Sequence, residues 1–229
     1  MKVAFYTLGC KVNQNETGAL AQLFYENGFE PAPDGGEADV YIVNSCTVTA
    51  GGDKKSRQWL RRAKRRNPGA VTVLTGCFPQ AFPGEALAVE EADIITGSGA
   101  RRRVLDNVLR FLQEGGRIVD IAPHEKSERF EELPMERLEG HTRAFMKIED
   151  GCNRRCAYCV IPRARGSVRS RAEESILGEL ADTPRWCFPA STSPATAGTP
   201  EQIWPRSWKR RRRCRASAAF AWGAWSLTL

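Results

Sequence analysis

Short apolar runs alternate with helical patterns along the first half of the chain, and this alternation constrains the fold more than any other feature. Strands are predicted for VAFYT (3–7), VYIVN (40–44) and VTVLT (71–75), which are rich in β-branched and aromatic residues. Helical spacing is found in NETGALAQLFYENG (15–28), KKSRQWLRRAKRR (54–66) and RRRVLDNVLRFLQEGG (101–116). Because this alternation is typical of a parallel sheet covered by helices, we predict an α/β, Rossmann-like domain at residues 1–121.

Three cysteines directly follow the three predicted strands. Cys10 ends TLGC, Cys46 ends VNSC and Cys77 ends LTGC. The carboxyl ends of parallel strands meet at one edge of the sheet, where ligand sites form, so we expect the three thiols to lie together. The alternative for any one of them is a buried core cysteine. A glycine precedes both Cys10 and Cys77, which lets the backbone approach a bulky ligand closely.

The predicted helix at 54–66 is strongly basic, with eight Lys or Arg residues. A solvated helix face is one interpretation of this charge. The other is a contact with RNA phosphates, for which Lys55, Arg62 and Arg66 are the candidates. The sequence leaves both open.

A second cysteine motif follows a polar, proline-broken stretch at 122–141, which we interpret as a linker. RAFMKIE (143–149) is a predicted strand and leads into Cys152, Cys156 and Cys159, in a C-x3-C-x2-C spacing. Three thiolates on one such loop can hold three irons of a [4Fe–4S] cluster and leave the fourth iron open to a substrate. A structural zinc site is the alternative, but zinc sites favour paired C-x2-C motifs and no second pair follows.

The chain has no apolar run long enough for a transmembrane helix and no signal-peptide pattern at its start. We therefore expect a cytoplasmic protein with no membrane partner. We also expect a monomer. In a reducing compartment, eight cysteines are better explained as metal ligands or catalytic thiols than as disulfides.

The CNRRCAYC loop resembles that of the radical S-adenosylmethionine enzymes. In those enzymes the open iron is chelated by S-adenosylmethionine, which is cleaved to a 5′-deoxyadenosyl radical after one-electron reduction. The resemblance implies that Tyr158, the aromatic residue before the last cysteine, lies near the adenine of that cofactor. It also implies that residues 142–181 are the first part of a radical (β/α) barrel.

Taken together, the two cysteine sets resemble those of the methylthiotransferases. TLGCKVNQNE, VNSCTVT, KSRQWLRRA and DGCNRRCAYCVIPRARGSVRSR look most like the branch that modifies threonylcarbamoyladenosine in tRNA. GCKVN differs from the GCQMN usual in the isopentenyladenosine branch and from the GCPKN of the ribosomal-protein branch, which remain the alternatives. Asn15 and Arg163 depart from the branch, where Tyr is common at both places.

The resemblance implies two [4Fe–4S] clusters, with S-adenosylmethionine as the further cofactor and tRNA as the substrate. Cys10, Cys46 and Cys77 would hold an auxiliary cluster that supplies sulfur, and Cys152, Cys156 and Cys159 the radical cluster. The product would carry a methylthio group at C2 of the modified adenine beside the anticodon. The electron donor and the sulfur source are not indicated by the sequence.

The last part of the chain, residues 182–229, departs from this pattern. Residues 183–229 hold eight basic residues against one acidic residue, and five of the six Trp residues. Read one base over with synonymous codons chosen freely, ADTPRWCFPASTSPATAG permits GYPEVVLSGINLSSYGR, which resembles the next barrel strand. We therefore expect a frameshift near Ala181, a truncated barrel and a disordered out-of-frame tail, in which Cys187 and Cys214 are accidental.

A non-catalytic iron–sulfur or RNA-binding fragment is the second hypothesis for the chain as given, because only the start of the predicted barrel is present. A zinc-dependent regulator is a third. The two main hypotheses differ in whether the reconstituted chain cleaves S-adenosylmethionine.

Overall fold

The computed structural model describes residues 1–33, 35–47, 51–125, 127–133, 144–181 and 186–187. Its helices are α1 (Lys11–Glu26), α2 (Gly52–Arg66), α3 (Cys77–Ala81), α4 (Pro83–Leu87), α5 (Arg102–Glu114), α6 (Ile161–Arg165) and α7 (Glu173–Ala181). Its strands are β1 (Lys2–Thr7), β2 (Glu30–Pro31), β3 (Val40–Ser45), β4 (Val71–Gly76), β5 (Ile94–Thr96), β6 (Ile118–Asp120), β7 (Ala144–Phe145), β8 (Glu149–Asp150), β9 (Arg169–Ser170) and β10 (Trp186–Cys187). Among the described helices, none has both the length and the apolar content needed to cross a bilayer.

The first six strands form one parallel sheet in the order β2-β1-β3-β4-β5-β6. The register pairs Val3 with Val40, and Val40 with Val71, so the three longest strands run side by side over most of their length. The predicted α/β, Rossmann-like class is therefore confirmed.

Alternating side chains of the strands pack on opposite faces of the sheet. Val40, Ile42 and Val73 lie in a buried cluster with residues of α1 and α5. Val43 and Leu74 point the other way, into a cluster with residues of α2, α3 and α4. Burial on both faces explains why the strand sequences are nearly continuous apolar runs, as is typical of parallel sheets.

The order of the strands reverses beside β1, which lies between β2 and β3. The crevice at the carboxyl ends of β1 and β3 is thus a topological switch point, the place where open α/β sheets bind their ligands. Cys10 follows β1 and Cys46 follows β3, so two of the candidate cysteines lie at this crevice.

The elements predicted within residues 1–121 agree with the structure apart from their ends. Helix α1 begins at Lys11 rather than at residue 15, and α5 ends at Glu114 because Gly115 adopts a positive φ of 66°. The short strands β2, β5 and β6 were not predicted, since two or three residues give too little pattern to recognise.

The second segment does not form the single strand predicted for RAFMKIE. It is split into β7 and β8, and β8 pairs antiparallel with β9 rather than extending β7. Residues 122–133, interpreted as part of a linker, lie against the rest of the protein where they are described: Glu131 accepts from the backbone N–H of Arg101 over 2.7 Å.

Within the segment predicted as a disordered tail, the structure describes only Trp186–Cys187, which pair in parallel with β7. This short strand was not expected from the sequence. The proposed frameshift near Ala181 is not tested by it, and Cys214 lies outside the described residues.

Candidate functional site

The three candidate cysteines of the first domain follow three strands that are neighbours in the sheet, as predicted. Cys10 immediately precedes α1, Cys46 follows β3, and Cys77 is the first residue of α3. Cys46 and Cys77 are buried, whereas Cys10 is exposed. The arrangement places one thiol at the surface of the crevice and two beneath it.

Asn13 joins the three strand ends. Its Oδ1 lies 3.9 Å from the Sγ of Cys77 and 4.0 Å from the Sγ of Cys10, so these two sulfurs flank one oxygen atom. Its Nδ2 donates to the carbonyls of Leu8 and Ser45 over 2.8 and 2.9 Å, next to the first and second cysteine positions. One buried amide thereby fixes the geometry of the crevice.

The glycines before Cys10 and Cys77 have a conformational role that the sequence did not reveal. Gly9 and Gly76 have positive φ values of 104° and 102°. A Cβ on Gly9 would lie 2.6 Å from the Sγ of Cys46, and one on Gly76 would lie 2.5 Å from the Oδ1 of Asn44. In this structure the glycines let neighbouring strand ends approach one another, which brings the cysteines together.

Arg165 reaches this crevice from the second segment. Its Nε donates to the Sγ of Cys77 over 3.2 Å, and another nitrogen of the same guanidinium donates to the Oδ1 of Asn13. The Arg165 side chain is only 3 % exposed. Burial raises the pKa of the Cys77 thiol, while the charge of Arg165 opposes that shift by favouring the thiolate.

Glu16 is the centre of a buried charged network beside the crevice. It accepts from Arg101 over 2.6 Å, from Lys147 over 2.6 Å and from Arg165 over 3.0 Å. Burial alone would raise the pKa of this carboxyl, but the three cations lower it to about 2. Glu16 is therefore ionised, and it holds together residues from both halves of the chain.

Asp150 extends the network towards the second cysteine motif. It accepts from Lys147 over 2.6 Å and lies 3.4 Å from nitrogens of Arg165 and Arg169. Burial opposes its ionisation, yet the surrounding cations hold its pKa well below the usual range. Asp150 precedes Cys152 by two residues, so the network fixes the start of the cysteine loop.

The second cysteine set occupies a loop that backbone hydrogen bonds hold at its start and at its end. The backbone N–H of Cys152 donates to the carbonyl of Gly166 over 2.9 Å, and that of Cys159 to the carbonyl of Cys156 over 3.0 Å. Cys152 is buried, Cys159 half-buried and Cys156 exposed. Tyr158 is 92 % exposed, and its predicted place beside an adenine stays a prediction.

Both cysteine sets have the chemistry that an iron–sulfur cluster needs. Thiolates are the usual ligands of [4Fe–4S] clusters, and each set offers three. Within the described ranges, no three His, Cys, Asp or Glu side chains gather closely enough for a single metal ion. A cluster makes a different demand, because its thiolates bind separate irons. The crevice fits that demand, because the sulfurs of Cys10 and Cys77 flank one oxygen of Asn13 and the absence of a side chain at Gly9 leaves room beside the sulfur of Cys46.

The basic helix α2 is divided into two faces. Arg57, Arg61 and Lys64 form ion pairs with Glu85, Glu91 and Asp93 respectively. Lys55, Arg62 and Arg66 lie along a neighbouring stripe, since their spacings of seven and four residues return to one side of a helix. Lys55 and Arg62 are exposed and Arg66 is half-buried. This stripe is open to an external anion, as are the exposed Lys54 and Arg65 elsewhere on α2.

Ser98, His124 and Glu128 form a hydrogen-bonded chain that was not predicted. The Oγ of Ser98 lies 3.1 Å from His124 Nε2, and His124 Nδ1 lies 2.8 Å from Glu128 Oε2. The order resembles a hydrolase triad, but Ser98 is 4 % exposed and its hydroxyl donates to the carbonyl of Ala164. This series of hydrogen bonds therefore attaches residues 122–133 to both halves of the protein.

Asn13, Glu16 and Arg165 were not singled out from the sequence. The sequence does contain a sign that Glu16 is important, because Glu16 lies on the buried face of α1 between Val12 and Leu20. A carboxylate in that position needs a buried cation. Nothing local identifies Arg165, because Asn13, Glu16 and Cys77 lie more than 80 residues before it in the sequence. Arg163, one of the departures from the branch, donates to the carbonyl of Ala81 over 2.8 Å and thereby helps to attach α6 to α3.

The sequence of the chain is similar to a described protein family and to several named enzymes. Residues 2–97 match a family model described as uncharacterized protein family UPF0004. The chain is 45 % identical over 175 residues to the threonylcarbamoyladenosine tRNA methylthiotransferase MtaB of Bacillus subtilis (strain 168). The matched region covers 76 % of this chain and 39 % of the Bacillus protein. It is 39 % identical over 180 residues to the protein of the same name from Aquifex aeolicus (strain VF5). That match covers 79 % of this chain and 44 % of the Aquifex protein.

A related group of proteins also matches. The ribosomal protein uS12 methylthiotransferase RimO of Synechococcus sp. (strain CC9902) is 34 % identical over 179 residues, covering 78 % of this chain and 38 % of that protein. The chain thus spans about two fifths of the length of the curated relatives it matches.

Proposed function

The chain belongs to the methylthiotransferase family, and we propose that its residues serve a transferase that adds a methylthio group to C2 of threonylcarbamoyladenosine beside the anticodon of tRNA. The observation that carries this proposal is the 45 % identity over 175 residues to a protein named for that activity. Any continuous stretch of that length in a chain of 229 residues includes Cys77 and the whole C-x3-C-x2-C loop. The similarity thus extends over both parts of the candidate site.

Two sets of residues would hold the cofactors in this proposal. Cys10, Cys46 and Cys77 would bind an auxiliary [4Fe–4S] cluster, and the other set would bind a radical [4Fe–4S] cluster with S-adenosylmethionine; its members are Cys152, Cys156 and Cys159. When bound, these groups would supply one-electron chemistry and a source of sulfur, while the protein positions them. Free thiols of this kind persist in a reducing cytoplasm, which is the setting we propose.

The chain's own residues hold the two sites in a fixed relation. Asn13 and Arg165 orient the crevice around Cys77, and Glu16 and Asp150 neutralise the buried cations between that crevice and the second loop. These side chains are almost entirely buried, so they keep water away from the region between the two cysteine sets.

The substrate in this proposal is tRNA, and the stripe of Lys55, Arg62 and Arg66 on α2 is the proposed phosphate contact. Exposed cations on one helix face bind a nucleic-acid backbone without reading its sequence.

Modification of a ribosomal protein is the second candidate function, because relatives named for uS12 methylthiotransfer match at 34 % identity. The lower identity and the GCKVN sequence around Cys10 favour the tRNA branch. Binding of the reconstituted chain to tRNA bearing threonylcarbamoyladenosine and to uS12 in parallel distinguishes the two. Stronger binding to uS12 would reverse the assignment.

Cleavage of S-adenosylmethionine tests the radical half of the proposal directly. The full chain is reconstituted anaerobically with iron and sulfide, reduced with dithionite and assayed for 5′-deoxyadenosine and methionine. We expect both products from the unaltered chain and neither from Cys156→Ala. Absence of both products from a chain that carries its clusters would favour the non-catalytic iron–sulfur fragment.

A further inference from the structure

We propose that Arg165 is a positioning residue for the auxiliary cluster: its guanidinium raises the reduction potential at Cys77 and fixes the radical-cluster loop against that site. This inference rests on the proposed function, because it assumes that Cys10, Cys46 and Cys77 hold a cluster. It adds a role for a residue outside both cysteine motifs.

The geometry of the guanidinium is fixed by its partners. Arg165 Nε donates to the Sγ of Cys77 over 3.2 Å, and two other donors of the same side chain engage Asn13 and Glu16. Both oxygens of Glu16 accept from it, which holds the planar group in one orientation. The N–H directed at sulfur is therefore held in place by at least two other anchors.

A donor directed at a ligand sulfur has a predictable electronic effect. Reduction adds negative charge to a cluster and its thiolates, and hydrogen bonds to the sulfurs favour the more negative state. Arg165 is 3 % exposed, so solvent screens this interaction little. Glu16 and Asp150 offset much of the positive charge at longer range, but the N–H remains directed at the sulfur. Removing this N–H donor should lower the reduction potential of the auxiliary cluster.

The same residue connects the two cysteine sets. Arg165 is the last residue of α6, which begins two residues after Cys159, and α6 packs on α3, whose first residue is Cys77. Ala164 shares a buried apolar cluster with Cys77. On its other side, Gly166 accepts from the backbone N–H of Cys152. Arg165 is thus bonded to one cysteine site through its side chain and adjoins the other through its backbone.

The test uses the full chain with Cys152, Cys156 and Cys159 replaced by Ala, so that only the auxiliary site can bind iron. This parent and its Arg165→Met and Arg165→Lys derivatives are reconstituted anaerobically. Iron per chain is measured first, and the midpoint potential is then obtained by redox titration followed by electron paramagnetic resonance. Arg163→Met is the matched control, since Arg163 also joins α6 to α3 but its described contacts are the Ala81 carbonyl and the Phe82 ring.

We expect Arg165→Met to shift the potential to a lower value, Arg165→Lys to shift it less because the charge is kept, and Arg163→Met to leave it unchanged. Equal potentials for the parent and Arg165→Met would overturn the inference. If Arg165→Met does not fold, Arg165→Lys decides, and a potential equal to that of the parent overturns it. A parent that binds no iron would instead refute the auxiliary site of the proposed function.

Discussion

The Nε of Arg165 lies 3.2 Å from the Sγ of Cys77, although 88 residues separate the two in sequence. This hydrogen bond joins the switch-point crevice of the parallel sheet to the loop that carries the second cysteine set. It belongs to a buried network in which Glu16 accepts from cations of both halves. The two cysteine sites are therefore expected to depend on the same few buried charges.

Replacing Glu16 with Gln should destabilise the protein strongly. The change leaves Arg101 and Arg165 buried without their main anionic partner, and the Nε of Arg101 already lacks a partner among the described residues. Breaking a buried ion pair on one side typically costs about 3–5 kcal/mol. Urea denaturation followed by circular dichroism measures the free energy of unfolding. Glu85→Gln is the control, since its pair with Arg57 is exposed and should contribute little.

Acid should remove the contribution of Glu16 in a defined pH range. Its pKa is about 2 in the folded protein, against an ordinary value of 4.5, so the unfolded chain binds a proton first as the pH falls. The stabilisation is complete above about pH 4.5 and is lost progressively towards pH 2. The difference in free energy of unfolding between the unaltered chain and Glu16→Gln should narrow over that range. A constant difference would contradict the role given to the Glu16 charge.

Gly76→Ala should disrupt the crevice. Gly76 has φ 102° and ψ −155°, a conformation that is essentially restricted to glycine and costs other residues on the order of 1–3 kcal/mol. The added Cβ would also lie 2.6 Å from the Ser45 carbonyl. We expect a lower free energy of unfolding and less iron bound at the first cysteine set. Gly84→Ala is the matched control, because a Cβ there meets nothing within 4 Å, and it should keep both properties.

Charge reversal of Lys55, Arg62 and Arg66 should weaken tRNA binding. A phosphate that the helix no longer neutralises keeps its counterions, so the slope of log affinity against log salt should become shallower by about one per phosphate. Fluorescence anisotropy with labelled tRNA at several salt concentrations measures both the affinity and this slope. The control reverses three exposed cations on other parts of the chain: Lys2, Arg110 and Arg129. Equal weakening in the two triple variants would mean that only net charge matters.

The sheet and the first cysteine set were predictable because they depend on local pattern. β1, β3 and β4 are six-residue strands, β3 and β4 fully buried and β1 half-buried, and their sequences are nearly continuous apolar runs. Once those strands are parallel neighbours, the positions of Cys10, Cys46 and Cys77 follow. The short strands β5 and β6 were missed because three residues establish no period.

The network around Arg165 was not predictable because it depends on pairing between distant segments. The string RARGSVRSR shows four arginines but does not indicate which of them is buried or which carboxylate it meets. Glu16 and Asp150 lie far apart in sequence, and only the packing of α6 on α3 brings Arg165 between them. The interpretation of RAFMKIE as one strand was wrong for a similar reason, since β8 pairs with β9, about 20 residues further along the chain.

Iron content after anaerobic reconstitution tests the central claim most directly, namely that each cysteine set binds its own [4Fe–4S] cluster. The unaltered chain should bind about eight irons with matching sulfide. The variant with Ala at Cys10, Cys46 and Cys77 should bind about four, and so should the variant with Ala at Cys152, Cys156 and Cys159. Zinc in place of iron, or the same iron content in the unaltered chain and in either triple variant, would contradict the account.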